Sequence, residues 1–209
     1  MSLLKKAVRK SINLSVYIVF PVLLGLLVVA KPLTLILLTE KWLPSVPFMQ
    51  LTCICCMFWP LSHRTHALNA IGKSNVTAKL SLIGKSITLA SIFICLRFGI
   101  YAIMLGTIAS SSISLFIASY YSKKYIGYSI KELAIDVLPP LALSAGMAGV
   151  VFLISLLPLN IYLSLILQVL VGIGVYVLGS SVFKMNGFYF ILNYIKKVFK
   201  KKNLDKFND

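Results

Sequence analysis

Carboxylates are scarce in this sequence. Glu40, Glu132, Asp136, Asp205 and Asp209 are the whole acidic inventory, against 21 Lys and Arg and two His, which leaves a formal net charge of +16. None of the five lies deep in an apolar run. A proton- or sodium-coupled pump relies on an intramembrane carboxylate, and a membrane glycosidase or polymerase needs acidic or His groups at an aqueous face. Neither constellation is present, so no enzyme activity is expected. Charged residues make up only 12% of the chain while 59% are hydrophobic, which is too little polar surface to coat a soluble domain. Cysteine is limited to Cys53, Cys55, Cys56 and Cys95, all inside apolar runs. The Cys-x-Cys-Cys spacing on one helix cannot close a four-ligand site, so these read as small packing residues, with no metal and no cofactor expected.

What the sequence has in abundance is long apolar runs. Six of them, 12–38, 46–70, 80–96, 100–121, 133–157 and 161–183, are each near the ~20 residues that cross a bilayer as a helix. No segment alternates with the two-residue period of a barrel strand. The fold class is therefore all-α: an integral membrane bundle of six transmembrane helices over residues 1–183, followed by a cytoplasmic basic amphipathic tail over 184–209. Connections alternate in charge. Seventeen Lys and Arg fall on the odd-numbered segments, and only Lys41 and Arg97 on the even ones. That bias places both termini in the cytoplasm, and it accounts for the net charge without a nucleic-acid partner. The basic cluster ahead of the first run reads as the flank of a retained helix rather than a cleavable signal, because five more spans follow.

Turn chemistry separates the spans. Ala70-Ile71-Gly72 predicts a left-handed glycine cap, with Ser74 or Asn75 as the next helix cap, while Phe98-Gly99 and Pro158-Leu159-Asn160 predict tight outer turns. On the fourth helix Ala102, Gly106, Ser110, Ser114 and Ala118 recur every four residues, a ridge of small side chains that lets helix backbones approach closely; it reads either as static packing or as a sliding face. Pro21, Pro32, Pro60 and the Pro139-Pro140 pair are candidate hinges. Gly172-Ile173-Gly174 lies mid-span with no strand before it and reads as packing. In the tail, Phe188, Ile191, Leu192, Ile195, Val198 and Phe199 lie opposite Lys196, Lys197, Lys200 and Lys201, a pattern suited to the surface of an anionic membrane lipid leaflet.

The second run carries most of the intramembrane polarity, with Gln50, Thr52, Trp59, His63, Arg64 and His66. Arg64 sits six residues before Ala70, ~9 Å inside the cytoplasmic end of a helix. Two readings stand. Arg64 snorkels to the interface beside two interfacial histidines, or it lines a polar cavity and pairs with an anionic ligand such as a phosphate. In the second reading Arg64, Gln50, His63 and His66 are the substrate-binding candidates.

Several short strings also resemble a known family. Phe20-Pro21, Gly25-Leu26 and Ala30-x-Pro32; Glu40-Lys41-Trp42-Leu43-Pro44-x-Val46-Pro47; Ala70-x-Gly72-Lys73-Ser74; Gly99-x-x-Ala102; Gly127-Tyr128-Ser129; and Asp136-x-x-Pro139 look like the carboxy-terminal part of bacterial polysaccharide (O-antigen type) flippases. These belong to the multidrug/oligosaccharidyl-lipid/polysaccharide exporter superfamily. The resemblance covers about residues 10–155, and the Glu-Lys-Trp loop is its most specific piece. It implies a multi-pass protein of the bacterial inner membrane that moves undecaprenyl-pyrophosphate-linked oligosaccharide between leaflets by alternating access, around a central cationic cavity shared by two lobes. This chain would correspond to the last six helices, so a separate amino-terminal half is an expected partner and the chain is expected to be incomplete alone. Leu80-Ser81-Leu82-Ile83-Gly84-Lys85 lacks the acidic residue the family often carries there. A polymerase-like membrane enzyme of polysaccharide assembly and a small membrane scaffold are the alternatives; the first calls for a large polar outer loop.

Overall fold

In lipid a long apolar run can satisfy its backbone hydrogen bonds only by coiling into a helix or closing into a barrel, and here every such run coils. The computed structural model describes residues 2–158, 160–183, 185, 187, 188 and 190, and the side chains of Ser2 and His63 lie outside that description. Its α-helices are α1 (Ser2–Leu38), α2 (Val46–Cys56), α3 (His63–Ala70), α4 (Ser74–Cys95), α5 (Ile100–Ile126), α6 (Ile130–Ser155) and α7 (Ile161–Val182). Short 3-10 turns occupy Glu40–Ser45, Pro60–Ser62 and Leu96–Phe98, and no strand occurs among the described residues. Six segments are long and apolar enough to cross a membrane: Leu3–Leu38, Glu40–Ala70, Ser74–Phe98, Ile100–Ile126, Ile130–Ser155 and Ile161–Val182. The chain is thus a multi-pass membrane helix bundle. The tail with Lys196, Lys197, Lys200 and Lys201 lies outside the described residues.

Two spans differ most from the sequence reading. The first begins at Ser2 rather than at residue 12, because Lys and Arg are good helix formers and nothing in residues 2–11 breaks the coil. Its 37 residues extend ~55 Å, well beyond the ~30 Å hydrocarbon core, so the end bearing Lys5, Lys6, Arg9 and Lys10 reaches past it. The second span is interrupted rather than continuous: α2 stops at Cys56, and α3 resumes after a 3-10 turn that Pro60 opens. A proline that cannot donate a helical hydrogen bond accounts for the interruption.

α1 is the central element and packs on α6, α2, α7 and α3. Val8, Ile12, Val16 and Phe20 recur every four residues along it and pack with Leu68, Ile126, Tyr128 and Leu133. A second cluster joins Tyr17 and Val29 of α1 to Met147, Val151 and Tyr176. Pro21 of α1 frees a carbonyl that a neighbouring helix takes up. Pro21 leaves the Tyr17 carbonyl without its helical donor, and the Tyr176 hydroxyl donates to it at 2.7 Å. Gln50 Nε2 also crosses to α1 and donates to the Leu27 carbonyl at 3.0 Å, one residue before the Val28 carbonyl that Pro32 leaves without its helical donor. Re-satisfaction of a freed carbonyl by an adjacent helix, as at Tyr17, is what makes proline tolerable in lipid.

α4 has no buried residue and packs mainly on α5. Gly106 on the small-residue ridge faces it, for a Cβ there would lie 2.5 Å from Ser91 Oγ and 2.9 Å from Cys95 Sγ. One ridge step from Ser110, Ser114 Oγ lies 3.4 Å from the Cβ position of Gly84. Ser110 is buried and its hydroxyl donates to the Gly106 carbonyl. On α7, Gly172 faces Val151, whereas Gly174 has open space around it. Gly72 adopts a left-handed φ of 72°, as its sequence context predicts, but the following cap is Lys73, without a side-chain hydrogen bond, rather than Ser74 or Asn75. Among the cysteines Cys53 is buried and the other three are half-buried, all as free thiols.

Candidate functional site

The interruption of the second span sets up the site. α3 starts afresh after Pro60 and carries Arg64 into the bundle, where it is 2% exposed. Its Nη2 donates to the Leu115 carbonyl of α5 at 2.8 Å, and that carbonyl also accepts from the Ser119 hydroxyl at 2.7 Å. Arg64 Nε is buried and has no hydrogen-bond partner. Among the described residues Glu132 pairs with Lys5 and Asp136 with Arg9, and none of the described carboxylates pairs with Arg64. The guanidinium is enclosed within the bundle.

Arg64 lines a cleft of about 750 Å³ walled by α2, α3, α4 and α5. Ser62, Thr65, Ser81, Lys85 and Ser111 contribute polar groups, and Phe58, Trp59, Leu80, Leu89 and Ile117 contribute apolar wall. A guanidinium is planar and permanently charged, and it carries five donors matched to carboxylate and phosphate oxygens. One carbonyl does not use them up, and a buried cation without a counter-ion is costly. The cleft can therefore hold an anionic oxygen group against Arg64 and apolar chain along its walls.

The other sequence candidates lie elsewhere. Gln50 is committed to the Leu27 carbonyl on α1. His66 is exposed on α3, and the His63 side chain lies outside the described residues. Of the small ridge, Ser114 and Ala118 border the cleft, while Ala102, Gly106 and Ser110 do not. Sequence reasoning missed Lys85, Thr65 and Ser81. The available signal was Lys85 itself, a lysine five residues inside an apolar run, which the charge alternation absorbed as a loop residue.

A second polar cluster, also unforeseen, fastens α1 to α6. Arg9 Nε donates to Asp136 Oδ2 at 2.7 Å and Nη2 to Oδ1 at 2.6 Å, while the Tyr128 hydroxyl donates to Oδ2 at 2.9 Å. Burial, and then that hydrogen bond, push the Tyr128 phenol up from its ordinary pKa and keep it a donor. One turn away Lys5 Nζ meets Glu132 Oε1 at 2.7 Å. Glu132 also completes a capping box with Ser129 at the start of α6. Asp136, read from sequence as shallow, is 9% exposed, because the extended end of α1 covers it.

The profile of the polysaccharide biosynthesis protein family matches residues 2–47. The matched segment holds all of α1, the 3-10 turn with Trp42 and the first two residues of α2. Over that stretch the chain is similar to the family, and the similarity supports a role in polysaccharide biosynthesis. No curated protein and no solved structure matches the chain.

Proposed function

We propose that the chain is the carboxy-terminal portion of a membrane carrier that flips undecaprenyl-pyrophosphate-linked oligosaccharide across the bacterial inner membrane for surface polysaccharide synthesis. The observation that carries the reading is Arg64, a buried guanidinium with no carboxylate partner among the described residues and an unused Nε donor, in a hydroxyl-bearing cleft of about 750 Å³. A pyrophosphate supplies the missing negative charge and accepts in the bidentate geometry that Arg favours. The similarity of residues 2–47 to polysaccharide biosynthesis proteins fits this cargo. The carrier makes and breaks no bonds; it binds, encloses and releases. Both termini face the cytoplasm, and a second lobe completes the cavity.

The test uses cells that lack their own flippase and make the matching lipid-linked glycan, with the chain co-expressed alongside the amino-terminal lobe of a complete flippase. Surface polysaccharide is expected to return, and to fall in the order wild type, Arg64→Lys, Arg64→Ala at equal expression, because Lys keeps the charge and loses the fork. Equal activity of the three variants overturns the role of Arg64. Restoration by this chain alone overturns the need for a second lobe.

A further inference from the structure

Away from the Arg64 cleft, α1, α6 and α7 enclose a second space. It is a groove of about 830 Å³ walled by Tyr17, Ile135, Pro139, Leu143, Met147 and Val175. Ile135, Val150 and Phe183 on its margin are 64%, 37% and 71% exposed, so the groove opens sideways, toward the acyl region of a bilayer. At its end lies a recess of about 480 Å³ bordered by Lys6, Arg9, Lys10 and Phe190. Arg9, Asn13, Asp136 and Gly187 line both spaces, which makes them one continuous slot, apolar along its length and cationic at its mouth. The mouth is built rather than incidental. A Cβ on Gly187 would lie 2.7 Å from the Tyr17 ring, so only glycine lets the chain after α7 close against α1 there. Lys10 Nζ sits 4.0 Å over the Phe190 ring, Arg9 is held by Asp136, and Lys6 is exposed.

The geometry points to a site for an anionic glycerophospholipid, with one acyl chain in the α1/α6/α7 groove and its phosphate against Lys6, Arg9 and Lys10. Charge decides the occupant. Three cations against the single carboxylate of Asp136 leave the mouth positive, which favours an acidic headgroup over a zwitterionic one. A groove walled mainly by apolar side chains beside it suits an acyl chain better than water. The site is independent of the Arg64 cleft, and of whether that cleft carries lipid-linked sugar.

The test is native mass spectrometry of the purified full chain released from mixed micelles of phosphatidylglycerol and phosphatidylcholine with identical acyl chains. Phosphatidylglycerol is expected to be retained in preference. Lys6→Gln and Lys10→Gln are each expected to weaken retention about fivefold, the equivalent of ~1 kcal/mol per basic side chain. Gly146→Phe addresses the groove itself, since Gly146 lines it and a Cβ there meets nothing within 4 Å; it is expected to abolish retention while the protein keeps its helical circular dichroism. Arg64→Ala is expected to leave retention unchanged. Equal retention of the two lipids, or insensitivity to the lysine and Gly146 variants, overturns the site. Displacement of phosphatidylglycerol by equimolar polyprenyl phosphate overturns the phospholipid assignment and gives the slot to the carrier's own lipid class.

Discussion

Tyr176→Phe removes one hydroxyl, which donates to the Tyr17 carbonyl and also meets Ser144. Pro21 has no N–H, so the Tyr17 carbonyl lacks the donor that the helix would supply, and the Tyr176 hydroxyl replaces it from α7 at 2.7 Å. The tyrosine is 7% exposed and its ring centroid lies 5.1 Å from that of Tyr17, so phenylalanine keeps the ring packing and removes a single oxygen. Interhelical hydrogen bonds in membrane proteins average ~0.6 kcal/mol and reach ~1.7, while orphaning a buried acceptor costs ~1–3 kcal/mol. The expected loss is therefore about 1–2 kcal/mol. Pro21→Ala returns an N–H to the position that faces the Tyr17 carbonyl, so in that background Tyr176→Phe is expected to cost less than ~0.6 kcal/mol. Reversible unfolding of the four proteins in mixed micelles gives the coupling energy directly. Equal losses in both backgrounds would refute the argument that the tyrosine serves the proline.

Reporter fusions after Lys41, Arg97 and Asn160 are expected outside and fusions after Ser74 and Lys124 inside; reversal at two or more sites would sink the orientation. Thr39 joins α1 to the Glu40–Ser45 turn at φ 76° and ψ 171°, a region open essentially to glycine, so Thr39→Gly is expected to raise stability by about 1 kcal/mol in the same unfolding assay. Gly106→Leu drives a side chain into Ser91 and Cys95 and is expected to cost about 1–3 kcal/mol, read as a lowered unfolding midpoint. Arg9→Gln strands the 6% exposed side chain of Asp136. Because the Arg9 side chain is itself 44% exposed, the loss is expected below the ~3–5 kcal/mol of a fully buried pair, at about 1–3 kcal/mol; Asp136→Asn added to it should recover part.

The spans were legible because length and hydropathy act locally: a run such as 161–183 reads as a helix whatever surrounds it. The left-handed turn at Gly72 was legible for the same reason, since Ala-Ile-Gly after a helix leaves few alternatives. The break in the second span was not. Pro60 marks a hinge in any reading, but whether a helix bends or stops there depends on what Met57–Ser62 meet, which periodicity does not contain. Grouping Gln50 with Arg64 as candidates for one site assumed an unbroken helix, and the break separates them: Gln50 bonds to α1 and Arg64 lines the cleft. Arg9 with Asp136 and Lys5 with Glu132 lie 127 positions apart, and no local pattern announces such a pairing. Asp136 was visible as a residue and even as part of a family-like string. Its burial follows only once α1 is known to begin ten residues early.

That early start also carries a meaning in time. α1 is made before α6, the helix it packs on most. At ~5–20 residues per second, the 127 positions between the paired charges take roughly 6–25 s to synthesise. Throughout that interval α1 stands in the membrane with Arg9 unpaired and the Ile12, Val16 and Phe20 face without Leu133. A chain halted before Asp136 never loses that appearance, whereas one that passes it covers both features in a single docking event. The α1–α6 clasp thus dates the polypeptide, distinguishing a finished molecule from an interrupted one by a surface present only in the latter.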